Sequence, residues 1–296
     1  GNFFGGDCWE YDDLRGEYYL HLFAKEQPDL NYHNEAVIEA IEEAMHFWLE
    51  RGVAGFRCDV INIIYKEAIK NGKWRPALTG SEYYLSTPGC HRVLHRLHED
   101  VLAKYDAFTV GETVFVTPKM ADDLVNPARE ELSTVFAFEH METDCYKIKW
   151  FLRRFNPDCF FACLTKWQKA LPWNTVYLEN HDQPRICSYV HDERALENYT
   201  AFLYFLKGTT LIYAGQEFEN THLPSLFDKD PIDRKTGRDL SSLLCRLYAI
   251  KQRFGSADWF RAEADDAKDI AVLQRGSGNR RFIGVFSLKG QSAEIT

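Results

Sequence analysis

The chain has 296 residues, with 44 Asp and Glu against 35 Lys and Arg, and a formal net charge of −9. That length suffices for one large α/β domain or two small ones with a substantial core. The acidic balance argues against nucleic acid and anionic membrane surfaces, which both need clustered cationic charge, and no apolar run approaches the roughly 18 residues of a membrane span.

Helical and strand-like segments alternate along most of the chain. Residues 1–33, rich in Gly, Asp and aromatics, read as a loop-like subdomain. Asn34 is a helix N-cap, after which Val37, Ile38, Ile41, Met45, Trp48 and Leu49 recur with helical period as far as Gly52. The apolar run 53–61 predicts a buried strand. A helix carrying Val93, Leu94, Leu97, Val101 and Leu102 leads into a strand over 107–112, and residues 134–138 predict a third. A helix over 159–171, a strand over 175–178, a helix over 195–206, a strand over 209–214 and a long helix bearing Leu240, Leu243, Leu244, Leu247 and Ile250 follow. Short apolar strands between amphipathic helices indicate a parallel sheet of βα units, five strands in all. Beyond this series, 270–274 and 281–288 read as strands with no helix between them, the start of an antiparallel β domain.

The eight cysteines are scattered without a CxxC pair and read as free thiols of a reducing cytoplasm. No basic-then-apolar leader opens the chain, so the expected location is cytoplasmic. Aromatic residues make up 15% of the chain; packing into a large core accounts for most such rings, and lining a sugar site accounts for others. The sequon at Asn198 falls inside a helical pattern and is taken as chance.

Polar groups mark three strand ends: Arg57-Cys58-Asp59, Glu112 and Asn180-His181-Asp182. In a closed parallel barrel the C-terminal strand ends face one site, so an Arg and three carboxylates from distant parts of the sequence would converge. An Asp and a Glu flanking one glycosidic bond are the equipment of glycoside hydrolysis, one ionised and one protonated. A single strand-end carboxylate is as readily a loop anchor or a helix N-cap; three together carry more weight.

The runs Gly55-Phe56-Arg57-Cys58-Asp59-Val60-Ile61-Asn62, Val110-Gly111-Glu112-Thr113 and Glu179-Asn180-His181-Asp182-Gln183-Pro184-Arg185 resemble three ordered signature regions of the α-amylase family of glycoside hydrolases. Gln27-Pro28-Asp29-Leu30-Asn31 and the opening stretch from Gly5 to Phe23 resemble the oligo-1,6-glucosidase branch of that family, which also holds dextran glucosidases and trehalose-6-phosphate hydrolases. The resemblance implies an α/β fold: a partial TIM (β/α)8 barrel, strands four to eight, over residues 34–260. A remnant of an inserted subdomain would occupy 1–33, and a C-terminal antiparallel β domain would begin at 261–296.

It implies roles as well. Asp59 would be the nucleophile, Glu112 the general acid and base, and Asp182 the carboxylate that distorts the sugar and stabilises the transition state. Arg57 would hold Asp59 ionised and oriented, and His181 would bind sugar hydroxyls. Val60 is similar to residues found beside the nucleophile in enzymes of α-1,6 bonds; as a buried β-branched residue it also needs no function. The implied partner is a small α-gluco-oligosaccharide, with no cofactor and no metal. The alternatives are a trehalose-6-phosphate hydrolase, a transglycosylase, or a non-catalytic α-amylase-like domain.

The first signature region and the first two barrel strands have no counterpart. The expectation is therefore a fragment of a longer enzyme, inactive alone, with the N-terminal part of the barrel as its partner. After the last strand, Gly215 to Asn220 fits the family pattern while residues 224–231 depart from it, which leaves substrate choice open; Arg234 is a candidate there without an assigned role. His91, His95 and His98 share a helix, yet no HExxH pattern accompanies them, and a solvated helix face is expected rather than a metal site.

Overall fold

The computed structural model describes residues 1–75, 79–142, 155–255, 259–265 and 270–290. The chain forms two compact units, residues 1–138 and 139–296.

The first unit opens with a hairpin, β1 (Trp9–Asp12) and β2 (Glu17–Leu20), paired antiparallel. Within the stretch read as loop-like, these two short strands were not expected, because their exposed faces and aromatic content hid their alternation. Helix α1 (Glu35–Leu49) starts where expected: the Asn34 side chain accepts the Ala36 N–H. Strand β3 (Gly55–Cys58) pairs in parallel with β4 (Phe108–Thr113), and β4 with β5 (Thr134–Ala137). Between β3 and β4 runs α2 (Pro88–Leu97), which continues through a π-turn, His98–Leu102, into the single turn α3 (Ala103–Tyr105). Helix α4 (Pro118–Val125), absent from the sequence reading, links β4 to β5. Thr87 and Thr117 cap α2 and α4, each followed by proline in the first turn, where its missing N–H costs nothing.

The first strand is shorter than predicted. The ladder ends at Cys58 opposite Gly111, and Val60 turns into the left-handed region, φ 35° and ψ 41°. The rest of the apolar run forms the 3-10 turn Ile61–Ile63, and Ile63 packs with Leu22 and Tyr84 in a small core. Gly111 sits in close packing: a Cβ there would lie 2.7 Å from Leu132 Cδ1, and the side chain of Leu132 would have to shift.

The second unit contains α5 (Pro157–Ala170), β6 (Thr175–Val176), α6 (Glu193–Phe205), β7 (Thr209–Thr210) and α7 (Ser241–Phe254). Strands β6 and β7 pair in parallel. A three-stranded antiparallel sheet follows, with order β10-β9-β8 from β8 (Trp259–Asp265), β9 (Ile270–Ser277) and β10 (Arg280–Ser287). Two of its strands were expected; β8 was not. The described parallel strands form a three-stranded sheet and a two-stranded sheet.

Aromatic packing builds this second core. Rings of Phe160, Phe202, Phe286, Phe205, Phe254 and Phe282 follow one another at centroid spacings of 4.9–6.2 Å. The chain's aromatic richness is therefore in large part core. Tyr199 donates its hydroxyl to the Leu288 carbonyl, tying α6 to the antiparallel sheet. Asn198 accepts the Ser287 N–H from within α6, which makes it part of the packing.

Candidate functional site

In the first unit, Arg57, Asp59 and Glu112 come together. Arg57 is the third residue of β3, Asp59 lies just past its end, and Glu112 is the fifth residue of β4. Side chains alternate along a strand, and the Arg57 guanidinium forms ion pairs with both Asp59 and Glu112. The two carboxylates occupy unequal surroundings: Asp59's side chain is 65% exposed and Glu112's only 7%. Between Arg57 and Asp59, burial pushes the Cys58 thiol up to about 11 despite the neighbouring Arg57, so it stays protonated at neutral pH.

Val60 follows Asp59 in a conformation that a β-branched residue rarely adopts. Its side chain packs against the core of Leu22, Ile63 and Tyr84. Strain of this kind persists only where surrounding structure over-determines it, and it clusters at functional sites.

The run Gln27 to Asn31 also reaches this part of the chain. Asp29 pairs with Lys66, and its second oxygen accepts the Leu22 N–H at 2.8 Å. His33 joins the Lys66 carbonyl and the Tyr65 hydroxyl, at 2.7 and 3.0 Å. The motif thus anchors the loop that follows β3.

In the second unit, His181 and Asp182 follow β6 and lie within ion-pairing distance of each other, Nε2 to Oδ2 3.2 Å. Asn180 accepts the Asp182 N–H at 2.9 Å, shaping the turn. The residues flanking this segment form a buried ion pair: Glu179 Oε1 lies 2.6 Å from Arg185 Nη1, with both side chains fully inaccessible. Glu179 also accepts the Ile186 N–H, and Arg185 donates to the carbonyls of Ala214 and His222. Burial outweighs the Arg185 cation and raises the Glu179 pKa.

Asn62, Glu179 and Arg185 lie inside the signature runs, and the sequence alone assigns them no role. Their signal was a polar residue in an apolar or strand-end context, which in a folded chain requires buried partners. Arg234 lies in an exposed loop and takes no role in either constellation. The three histidines of α2 and its π-turn are not a bare solvated face: His91 bonds Glu131 at 2.7 Å and His95 bonds the Arg129 carbonyl at 2.9 Å. Each described cysteine is a free thiol; Cys145 lies outside the described residues. Among the described residues no helix is long and apolar enough to cross a membrane.

Comparison with known proteins matches residues 1–269 to the family described as "Alpha amylase, catalytic domain". The chain is 43% identical over 245 residues to an oligo-1,6-glucosidase of Parageobacillus thermoglucosidasius, covering 78% of this chain and 44% of the relative. It is 36% identical over 266 residues to trehalose-6-phosphate hydrolase of Bacillus subtilis (strain 168), covering 86% and 46% respectively. The crystal structure of Bacillus licheniformis trehalose-6-phosphate hydrolase superposes with a TM-score of 0.84 at 25% identity, over 96% of this chain and 65% of that one. The chain therefore spans less than half the length of these two relatives matched by sequence.

Proposed function

From the premise that the chain belongs to the α-amylase catalytic-domain family, we propose that it carries the reacting carboxylates of a retaining α-glucosidase acting on α-1,6 bonds of short gluco-oligosaccharides. The observation that carries the reading is the Arg57 guanidinium joined to Asp59 and Glu112 at the ends of adjacent parallel strands. Asp59 attacks the anomeric carbon, and Glu112 gives its proton to the departing glycosidic oxygen. Glu112, now a carboxylate, then takes a proton from water, and that water displaces Asp59 from the sugar. Two inversions leave the α configuration unchanged. Arg57 orients both carboxylates through its two ion pairs, and the contrast between exposed Asp59 and secluded Glu112 gives the pair unequal surroundings.

Asp182 and His181 are assigned to the same substrate, Asp182 stabilising the transition state through the sugar hydroxyls and His181 binding them. Val60 is assigned to linkage preference. The domain division at residues 33 and 260, the cytoplasmic location and an upstream segment that completes the barrel belong to the same proposal. The free thiols agree with a reducing compartment. The similarity to oligo-1,6-glucosidases at 37–43% identity favours α-1,6 bonds. A second reading, hydrolysis of a phosphorylated disaccharide, draws on the superposition with a trehalose-6-phosphate hydrolase.

The test is hydrolysis of isomaltose, maltose and trehalose-6-phosphate by this chain, alone and extended upstream through the missing strands, with Asp59→Asn as control. Isomaltose is the expected substrate, releasing the α anomer first in an NMR time course. Trehalose-6-phosphate as the preferred substrate selects the second reading. Activity that survives Asp59→Asn removes the assignment of the nucleophile.

A further inference from the structure

Backbone pairing between β3 and β4 stops one residue short of the two carboxylates. The last paired residues are Cys58 and Gly111; Asp59 and Glu112 come next in each segment. On the β3 side Val60 then turns into the left-handed region and the chain leaves the sheet. Strand β4 stays paired with β5 through Glu112 and Thr113, so β3 is the end that is released, and something other than the ladder must tie it back to β4.

Asn62 joins them. Its side chain is fully buried, in a position where an unpaired amide is costly. The Oδ1 atom accepts the Val114 N–H at 3.0 Å, and Nδ2 donates to the Val114 carbonyl at 2.9 Å. The amide thus takes both backbone groups of Val114, as a neighbouring strand residue would. Its own carbonyl accepts the Ser86 N–H at 2.7 Å, so the bridge is anchored in a third segment. Val60 and Val114 pack against the same core of Leu22, Ile63 and Tyr84.

Asp59 lies three residues before Asn62, and Glu112 two residues before Val114. Each carboxylate is therefore held between a ladder on one side and a bidentate amide bridge on the other. We infer that Asn62 is a positioning residue that sets the separation of Asp59 and Glu112 by replacing the strand pairing that β3 gives up. The inference rests on the proposed roles of these two carboxylates. A retaining reaction needs them about 5–5.5 Å apart, and a displacement of about 1 Å costs on the order of a hundredfold in rate.

The experiment compares the full chain with Asn62→Leu, which removes both bonds at similar volume, and Asn62→Asp, which keeps an acceptor for the Val114 N–H. Crystal structures give the carboxyl separation, and steady-state kinetics on the sugar preferred by the wild type give kcat and KM. In Asn62→Leu the carboxyls shift by more than about 0.5 Å, kcat falls roughly 10–100-fold and KM changes little. In Asn62→Asp, kcat recovers toward wild type as falling pH protonates the new carboxyl and restores its donor to the Val114 carbonyl. An unmoved carboxyl pair in both variants overturns the inference, and so does a loss confined to KM. Kinetics are read on whichever form, the chain alone or extended upstream, is active; carboxyls that move when neither wild-type form hydrolyses any of the sugars uphold the bridge and refute the proposed function instead. Should Asn62→Leu fail to fold, the Asn62→Asp structure and pH profile decide the matter.

Discussion

Replacing Arg185 with methionine removes a cation from a site that water does not reach, since Arg185 and Glu179 are both fully inaccessible. The substitution abolishes the 2.6 Å bond to Glu179 and the bonds to the Ala214 and His222 carbonyls, at 3.0 and 2.8 Å. It also removes a guanidinium stacked 4.3 Å from the Tyr213 ring centroid. An uncompensated buried carboxylate costs about 3–5 kcal/mol. Glu179 sits at the lower end of that range, because burial already raises its pKa and proton uptake partly relieves the charge. Each carbonyl left without its donor adds about 1 kcal/mol, so the expected loss is about 4–6 kcal/mol. Glu179→Met strands the opposite charge and is also expected to cost about 3–5 kcal/mol. The double variant carries no buried charge and loses only the bonds to the two carbonyls and to the Ile186 N–H, about 2–3 kcal/mol. Urea unfolding of the four proteins, followed by circular dichroism, yields the cycle. The two single costs taken together are expected to exceed the double by at least about 4 kcal/mol. If the double variant costs the sum of the singles within about 0.5 kcal/mol, the two groups act independently and the reasoning fails.

Two further outcomes follow from burial and backbone geometry. Burial pushes His140 down to about 4 while its Nε2–H donates to the Tyr177 carbonyl at 3.0 Å and Glu139 stands beside it. The unfolded chain then binds more protons between about pH 6.5 and 4, so stability falls as pH drops through that window; a titration of urea midpoints that is no flatter for His140→Gln than for wild type contradicts this. Val60→Gly releases about 1–2 kcal/mol of left-handed strain, which offsets its lost packing, so the unfolding midpoint is expected to stay close to wild type while hydrolysis slows. A loss above about 3 kcal/mol, as for an ordinary buried valine, shows that the turn stores no strain.

Much of this was legible before any coordinates. Helix α1 announced itself through Asn34 and a periodic apolar stripe, and the aromatic helices of the second unit through similar stripes. Arg57, Asp59 and Glu112 were singled out from their places at strand ends, and the structure joins them through Arg57. Other features lack a local signal. Residues 53–61 are apolar apart from Arg57 and Asp59, so composition alone reads strand, while the turn at Val60 is set by Asp59 leaving the sheet and by the core under Leu22 and Tyr84. The hairpin of β1 and β2 exposes Tyr11 and Tyr18, which erases the inside-outside alternation that marks a strand. Helix α4 is only eight residues long and carries no extended stripe. Asn62 looked like the end of a motif because its partner, Val114, lies 52 residues away.

Both units solve the same local problem in the same way. A carboxylate that acts on a substrate belongs where strands end, and strand ends are where backbone pairing stops constraining the chain. In the first unit the side-chain amide of Asn62 extends the pairing past Asp59 and Glu112. In the second, Glu179 and Arg185 close a buried clamp around the segment bearing His181 and Asp182, and Arg185 fastens it to the carbonyls of Ala214 and His222. Each device is a fully satisfied polar group in a dry setting, where a hydrogen bond is directional and a missing one is expensive. An apolar contact of equal area would stabilise the fold but would not fix the direction of the neighbouring carboxylate, because hydrophobic burial is non-directional. The polar bridges thus follow from what the strand ends have to carry, and their loss is expected to reduce turnover more than substrate affinity.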